Sequence, residues 1–190
     1  LSYVRSPLAH AKIKSINTEN AKKIPGVLNV FTIDDIKKVC SPWQGVLGHL
    51  GEMRSPTQYP LAKDVVRWQG EPVAVVVANK RAVAEDALEL VEIDYEDLDA
   101  QLDMETAMDK STKVIHDDLG NNLFWTRTVN QGDVSEAFKQ SHIVEEVTLD
   151  FARHTGVTLE TRAIVADWDS SEERMTIYHN GQAPHMMQSI

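Results

Sequence analysis

The side chains that most often carry chemistry are spread thinly in this sequence of 190 residues. Its seven histidines are His10, His49, His116, His142, His154, His179 and His185. No two of them have the His-x-x-x-His spacing with which one helix presents two zinc ligands. A lone histidine is more often a surface residue or a hydrogen-bonded core residue than a ligand or a base. The histidines therefore predict no metal site made of side chains.

Familiar catalytic and phosphate-binding motifs are absent as well. The sequence contains no Gly-x-Ser-x-Gly, no Walker phosphate loop and no Gly-x-Gly-x-x-Gly fingerprint, so serine hydrolysis and nucleotide binding on a glycine-rich turn have no basis. The acidic run Glu92–Asp103 lacks the ligand spacing of a calcium loop, which favours a solvated face.

Two polar residues remain as candidates. Glu160 precedes a predicted strand, where a buried carboxylate could serve as a base or an acceptor, although it could equally be an ordinary partner of Arg153 or Arg162. Gln182 follows another predicted strand, where an amide can also cap or hydrogen-bond locally. From residue type alone, the ordinary structural roles are favoured for both.

Composition limits the possible partners. A net charge of −10 disfavours sequence-independent binding to nucleic acid and to anionic membranes. Cys40 is the only cysteine, so no internal disulfide and no iron–sulfur cluster can be built from this chain, and a reducing, cytoplasmic setting is expected. No apolar stretch reaches the ~20 residues needed to cross a bilayer, and no leader is recognised. Leu1 already lies in strand-like sequence, which predicts a chain that begins inside a folded unit.

The first hundred residues alternate between strand and helix patterns. The strongest signal is Glu71–Ala78, a run that is apolar on both faces and therefore predicts a central strand. Asn79 is expected to cap the helix that follows it. The other predicted elements are strands at Leu1–Val4, Ala11–Ile16, Val27–Thr32 and Val91–Tyr95, short helices after Thr18 and at Asp34–Val39, and a contact-making loop at Ser41–Pro60.

Between Asp97 and Asn122 the chain becomes acidic and polar, which predicts an ordered linker and a domain boundary. Beyond it, Asp133 and Glu136 form a capping box. The predicted elements of this part are a helix at Val134–Gln140, a strand at Ile143–Phe151, a hairpin of Thr161–Trp168 with Met175–Tyr178, and a helix that begins within Ala183–Ile190.

Several short motifs, in this order, resemble the large subunit of the molybdenum hydroxylase family, to which xanthine dehydrogenase and aldehyde oxidase belong. The first set resembles the family's α/β hammerhead domain and comprises Tyr3–Ala11, Ile24–Val27, Tyr59–Ala62, Gly70–Ala78, Ala84–Ala87 and Val91–Glu96. The second set resembles the opening of the first molybdopterin-binding domain and comprises Gly132–Val134, Arg153–Gly156, Leu159–Arg162 and Gly181–His185. The resemblance implies an α+β chain, with a hammerhead domain at residues 1–112 and a truncated molybdopterin-binding domain at residues 113–190.

The resemblance also implies a function and a set of cofactors. Such enzymes insert water-derived oxygen at a carbon–hydrogen bond of an aldehyde or an N-heterocycle, using a molybdopterin-type molybdenum cofactor. Iron–sulfur clusters and FAD are then expected on partner subunits or domains. Gln182 matches the glutamine that approaches an oxygen ligand of the molybdenum centre, and Glu160 is assigned a supporting role.

The family's Gly-Gly-Phe-Gly-Gly loop and its glutamate base are not among these 190 residues. The chain by itself is therefore expected to be inactive, because proton abstraction needs a placed base. The expected partners are the remainder of the molybdenum-binding subunit, an iron–sulfur subunit, an FAD subunit and a small-molecule substrate. Two alternatives stay open: a non-catalytic docking module, and one piece of a split subunit that another chain completes.

Overall fold

The fold combines helices with antiparallel sheets, as the sequence predicted for an α+β protein. The computed structural model describes residues 1–45, 50–152, 154 and 156–189. The chain divides into two compact units, Leu1–Thr128 and Val129–Ile190. These compact units are defined by contacts within the chain, whereas the boundary predicted at residue 112 is a boundary between two domains of a family. The predicted domain boundary therefore stays a prediction.

The first unit contains two three-stranded antiparallel sheets, with the strand orders β1-β5-β3 and β4-β2-β6. Its strands are β1 (Ser2–Arg5), β2 (Ala11–Asn17), β3 (Val27–Thr32), β4 (Val65–Val66), β5 (Pro72–Ala78) and β6 (Glu92–Asp97). Its helices are α1 (Glu19–Lys22), α2 (Ile33–Ile36) and α3 (Arg81–Leu88).

Strand β5 is the central strand of its sheet, which confirms the prediction from its continuous apolar run. Ala74 and Val76 enter one buried cluster, which also contains Ala84 and Ala87 of α3. Val73 points to the opposite face and enters a second cluster. Successive side chains of a strand point to opposite faces, so β5 supplies apolar groups to both clusters at once.

Two details of the first unit differ from the sequence-based expectation. Asn79 is not the cap of α3: its N–H donates to the carbonyl of Gly26 at 2.9 Å, and the cap position falls on Lys80. This bond extends the pairing of β3 with β5 by one residue, so the helix begins later. Helix α2 begins at Ile33 rather than Asp34, because the Asp35 carboxylate accepts the Thr32 N–H at 2.7 Å and fixes the first turn there.

The segment that follows β6 packs against the rest of the first unit through side-chain hydrogen bonds. It contains two 3₁₀ turns, Thr106–Met108 and Asp117–Leu119, which agrees with an ordered linker. Arg54 donates to the Leu119 carbonyl and to the Asn121 carboxamide, and the Trp125 indole N–H donates to the Gly51 carbonyl at 3.0 Å. The contact-making loop predicted at Ser41–Pro60 is therefore confirmed for its described residues; Val46–His49 lie outside them.

The second unit contains helix α4 (Val134–Gln140), the hairpin of β7 (Ile164–Asp169) with β8 (Arg174–His179), and helix α5 (Pro184–Ser189). These elements confirm the predicted helix, hairpin and final helix within one to three residues at their ends. The predicted capping box is half formed: the Asp133 carboxylate accepts the Glu136 N–H at 2.9 Å, whereas the Glu136 carboxylate accepts from Gln140 rather than from the Asp133 N–H.

The strand expected at Ile143–Phe151 is wrong: the segment forms no strand. Its alternating apolar residues remain exposed, with Ile143 at 73% and Phe151 at 84%. A strand is stabilised by a neighbour that pairs with its N–H and C=O groups, and no described residue does so here.

In the described part of the chain, no helix has the length and apolar character needed to span a membrane.

Candidate functional site

The two candidate residues, Glu160 and Gln182, lie close in sequence to the same end of the β7–β8 hairpin. The hairpin runs in antiparallel register from the pair Ile164–His179 to the pair Asp169–Arg174. Glu160 precedes the first strand by four residues, and Gln182 follows the second strand by three. The antiparallel arrangement therefore places the segments that carry these residues at one end, opposite the connecting turn.

The connecting turn at the far end is fixed by one carboxylate. Asp169 accepts hydrogen bonds from the Ser171 hydroxyl at 2.6 Å, from the Ser171 N–H at 2.8 Å and from the Glu172 N–H at 3.2 Å. The bond from the Ser171 hydroxyl, followed by the two backbone bonds, lowers the pKa of Asp169 below its ordinary value of 3.8. The turn thus holds the register that carries through to the candidate site.

At the candidate end, the side chain of Asn180 continues the pairing after the backbone ladder stops. Its Oδ1 accepts the Ala163 N–H at 3.1 Å, and its Nδ2 donates to the Thr161 carbonyl at 2.6 Å. One carboxamide therefore satisfies one donor and one acceptor of the opposite strand's backbone, as a paired residue would. This clamp ties the segment after Glu160 to the segment before Gln182.

The backbone turns sharply between Asn180 and α5. The backbone at Gly181 lies against the imidazole of His179, where an added Cβ atom would collide with the ring unless the ring moved. Ala183 has a φ of 55°, in the left-handed region that a residue with a Cβ seldom adopts. Helix α5 then starts at Pro184, whose ring fits the first position of a helix.

Gln182 lies on this turn with an exposed side chain. Its carboxamide makes no hydrogen bond with the described part of the chain, and this group carries two N–H donors and one acceptor oxygen. An exposed, unengaged amide on a backbone held at both sides is chemically suited to donate to an oxygen ligand of a metal centre. The residues present therefore fit the contact that the family resemblance implies, while the contact itself stays a prediction.

Glu160 is also exposed, and its backbone carbonyl accepts the Thr158 hydroxyl at 2.6 Å. No ion pair joins Glu160 to Arg162 among the described residues. Arg153, the other alternative partner, lies outside them. The carboxylate is thus not engaged by Arg162, and its supporting role stays a prediction.

Metal-ligand clusters are not found among the described residues of this site. Over residues 1–45, 50–152, 154 and 156–189, no group of three or more His, Cys, Asp or Glu side chains comes together in a way that could hold a metal ion.

Sequence reasoning missed the residues that shape this turn. Asn180 and Gly181 form an Asn-Gly pair after a strand, which is a known turn signal, but the clamp made by Asn180 depends on where Thr161 and Ala163 lie in space. The left-handed conformation of Ala183 has no signal in its residue type, since alanine normally avoids it.

Comparison with known families matches nearly all of the chain. Residues 1–99 match the family described as aldehyde oxidase and xanthine dehydrogenase, a/b hammerhead domain. Residues 115–190 match a molybdopterin cofactor-binding domain. The second match includes Glu160, Gln182 and the whole hairpin between them.

Individual relatives agree with these matches. The chain is 37% identical over 183 residues to the nicotine 6-hydroxylase large subunit of Paenarthrobacter nicotinovorans, covering 96% of this chain and 22% of that protein. It is 32% identical to the carbon monoxide dehydrogenase large chain of Afipia carboxidovorans, covering 99% of this chain and 24% of that one. Both relatives are therefore about four times as long as this chain.

Among solved structures, quinoline 2-oxidoreductase from Pseudomonas putida 86 superimposes with a TM-score of 0.90 at 29% identity, covering 99% of this chain and 24% of that one. The fold class inferred from the sequence motifs, a hammerhead domain followed by the start of a molybdopterin-binding domain, is confirmed. The chain belongs to the aldehyde oxidase and xanthine dehydrogenase family of molybdenum hydroxylases.

Proposed function

We propose that this chain is the front part of the molybdenum-binding subunit of a hydroxylase, and that it contributes Gln182 to the cofactor site. The observation that carries the proposal is the exposed carboxamide of Gln182, which no described residue engages, on a turn inside the region that matches a molybdopterin-binding domain. The full enzyme would hydroxylate an aldehyde or an N-heterocycle with oxygen derived from water.

The residues of this chain would bind and orient the cofactor. They would not themselves convert the substrate. The molybdopterin cofactor, when bound, supplies the oxygen-transfer and redox chemistry. Gln182 would hold the cofactor in place by donating an amide N–H to an oxygen ligand of the molybdenum centre. Glu160, whose segment is tied to that of Gln182 by the Asn180 clamp, would accept a hydrogen bond in support of the site.

The rest of the enzyme would come from other polypeptide. The two relatives are named as a large subunit and a large chain, which supports partner subunits in the complex formed here. We expect an iron–sulfur subunit and an FAD subunit, together with the remainder of the molybdenum-binding subunit, which would bring the base. We also propose a domain boundary at residue 112. A cytoplasmic location is proposed as well, because the single cysteine of the chain, Cys40, is exposed and free.

The proposed substrate belongs to one of two classes, an aldehyde or an N-heterocycle. The names of the relatives refer to nicotine, carbon monoxide and quinoline, so similarity across this part of the chain does not distinguish between substrates. Discrimination would therefore rest on side chains from outside these residues.

The first test is the molybdenum content of the protein purified from its native host with its partners retained. Elemental mass spectrometry should find about one molybdenum atom per chain, because each cofactor site would take one Gln182. A preparation that keeps its partners and contains no molybdenum would contradict the proposal and favour a docking module.

The second test is Gln182→Ala in the complete enzyme. Loss of the amide donor should lower kcat about 10- to 100-fold, since one hydrogen bond to a charged or polarised group contributes about 1.5–3 kcal/mol. The exposed side chain should add little to stability, so the unfolding midpoint should stay the same. Gln140→Ala is the matched control, because it removes another exposed carboxamide, on α4. Unchanged kinetics for Gln182→Ala would refute the assignment.

A further inference from the structure

The side chain of Asn180 holds the hairpin together where its backbone no longer does. The last backbone-paired residues are Ile164 and His179. One residue later, Asn180 bonds to Ala163 and Thr161 of the opposite segment, 17 and 19 positions away in the sequence. An N–H can only be accepted by Oδ1, and a carbonyl can only be bonded by Nδ2, so the two bonds fix the orientation of the amide.

This clamp lies two residues before Gln182, with Gly181 between them and Ala183 directly after Gln182. Gly181 passes directly beneath the imidazole of His179, and Ala183 is held in the left-handed region. Strained backbone of this kind costs of order 1–3 kcal/mol and persists only where the surroundings impose it. Asn180 on one side and helix α5 on the other are the elements that impose it here.

We infer that Asn180 is a positioning residue, which acts through Gln182 by holding the Gln182 turn against the segment that carries Glu160. The inference rests on the proposed function and goes further, since it names a second side chain on which the cofactor contact depends. Asn180 does not itself contact the cofactor in this scheme. Without its two bonds the turn would be released from the β7 side, and the backbone that carries Gln182 would lose its fixed position.

Two variants of the complete enzyme test the inference. Asn180→Ala removes both bonds. Asn180→Asp keeps an acceptor for the Ala163 N–H but places a carboxylate oxygen against the Thr161 carbonyl. This second variant allows the same test if Asn180→Ala fails to fold. Each should lower kcat by about 10- to 100-fold, since a misplacement of about 1 Å in a catalytic site can have that effect, with a small change in KM.

Asn122 offers a matched control. Its Oδ1 accepts the Ile115 N–H at 2.9 Å, and its Nδ2 donates to the Ala107 carbonyl at 2.9 Å, so it clamps backbone in the same way within the first unit. Asn122→Ala should destabilise its own segment while kcat changes less than about threefold. An equal loss of kcat in both variants would mean that Asn180 matters only for general stability, which would overturn the inference.

Two readouts separate positioning from a structural role. In the Gln182→Ala background, Asn180→Asp should cause no further loss of kcat, because a residue that acts through Gln182 has nothing left to position. In the wild-type background, the electron paramagnetic resonance spectrum of the partly reduced molybdenum centre should shift in Asn180→Asp and stay unchanged in Asn122→Ala. Additive losses, or an unchanged spectrum, would overturn the inference.

The outcomes also distinguish this inference from the proposed function. If Gln182→Ala leaves kcat unchanged, the contact of Gln182 with the cofactor is refuted, and with it the positioning role. If Gln182→Ala lowers kcat while both Asn180 variants match the wild type, the proposed function stands and only the inference about Asn180 is refuted.

Discussion

Val76→Ala should be among the most damaging single truncations in the first unit. Val76 is fully buried in the central strand β5, in a cluster whose other buried members are Ala21, Val30, Ala74, Ala84, Ala87 and Val91. Removing two buried methyl groups costs about 0.8 kcal/mol each in lost transfer free energy. The cavity adds a further cost, because the surrounding structure relaxes only partially to fill it. We therefore expect a loss of about 2.5 kcal/mol in the free energy of unfolding of this unit.

Hydrogen exchange of the β5 amides measures this loss without involving the second unit. An opening free energy lowered by about 2.5 kcal/mol corresponds to exchange roughly 60-fold faster for amides that exchange by unfolding of the unit. Val39→Ala is the matched control, since Val39 is 82% exposed and its truncation should change exchange less than about threefold. Exchange in Val76→Ala within threefold of the wild type would refute the reasoning, because it would mean that the site collapses without cost.

Two further predictions concern the polar contacts of the first unit. Arg54→Ala should release the segment around Leu119, because a hydrogen bond from a charged donor contributes about 1.5–3 kcal/mol. Limited proteolysis should then cut this segment at least tenfold faster than in the wild type. Equally fast cutting in the control variant Arg127→Ala would contradict this. Burial raises the pKa of Glu71 above its ordinary value of 4.5. The folded unit therefore binds this proton more tightly than the unfolded chain does, and the free energy of unfolding should fall as pH rises from 4.5 through the raised pKa. Glu71→Gln should remove this dependence in urea unfolding, and an unchanged pH profile would show that another group causes it.

Much of the first unit follows from the alternation and composition of the sequence. The apolar run through β5 predicts a central strand, because only a strand covered on both faces can bury every residue of such a run. Thr32 and Asp35 show where this reasoning stops, since the first turn of α2 is set by a hydrogen bond that shifts the helix by one residue.

Ile143–Phe151 shows the opposite limit. Its alternating pattern has the period of a strand, but a pattern of side chains cannot supply the neighbouring backbone that a strand needs. Where the described residues offer no such neighbour, the segment forms no strand and its apolar side chains stay exposed.

The sequence by itself determined the family and the candidate Gln182, because short motifs in a fixed order remain recognisable without any coordinates. Only the tertiary structure decided that Glu160 and Gln182 belong to segments joined at one end of a hairpin, and that Asn180 joins them. The physical reason is that a side-chain clamp across 17 to 19 residues depends on the strand register, and the register is set by the turn and the ladder of the folded hairpin.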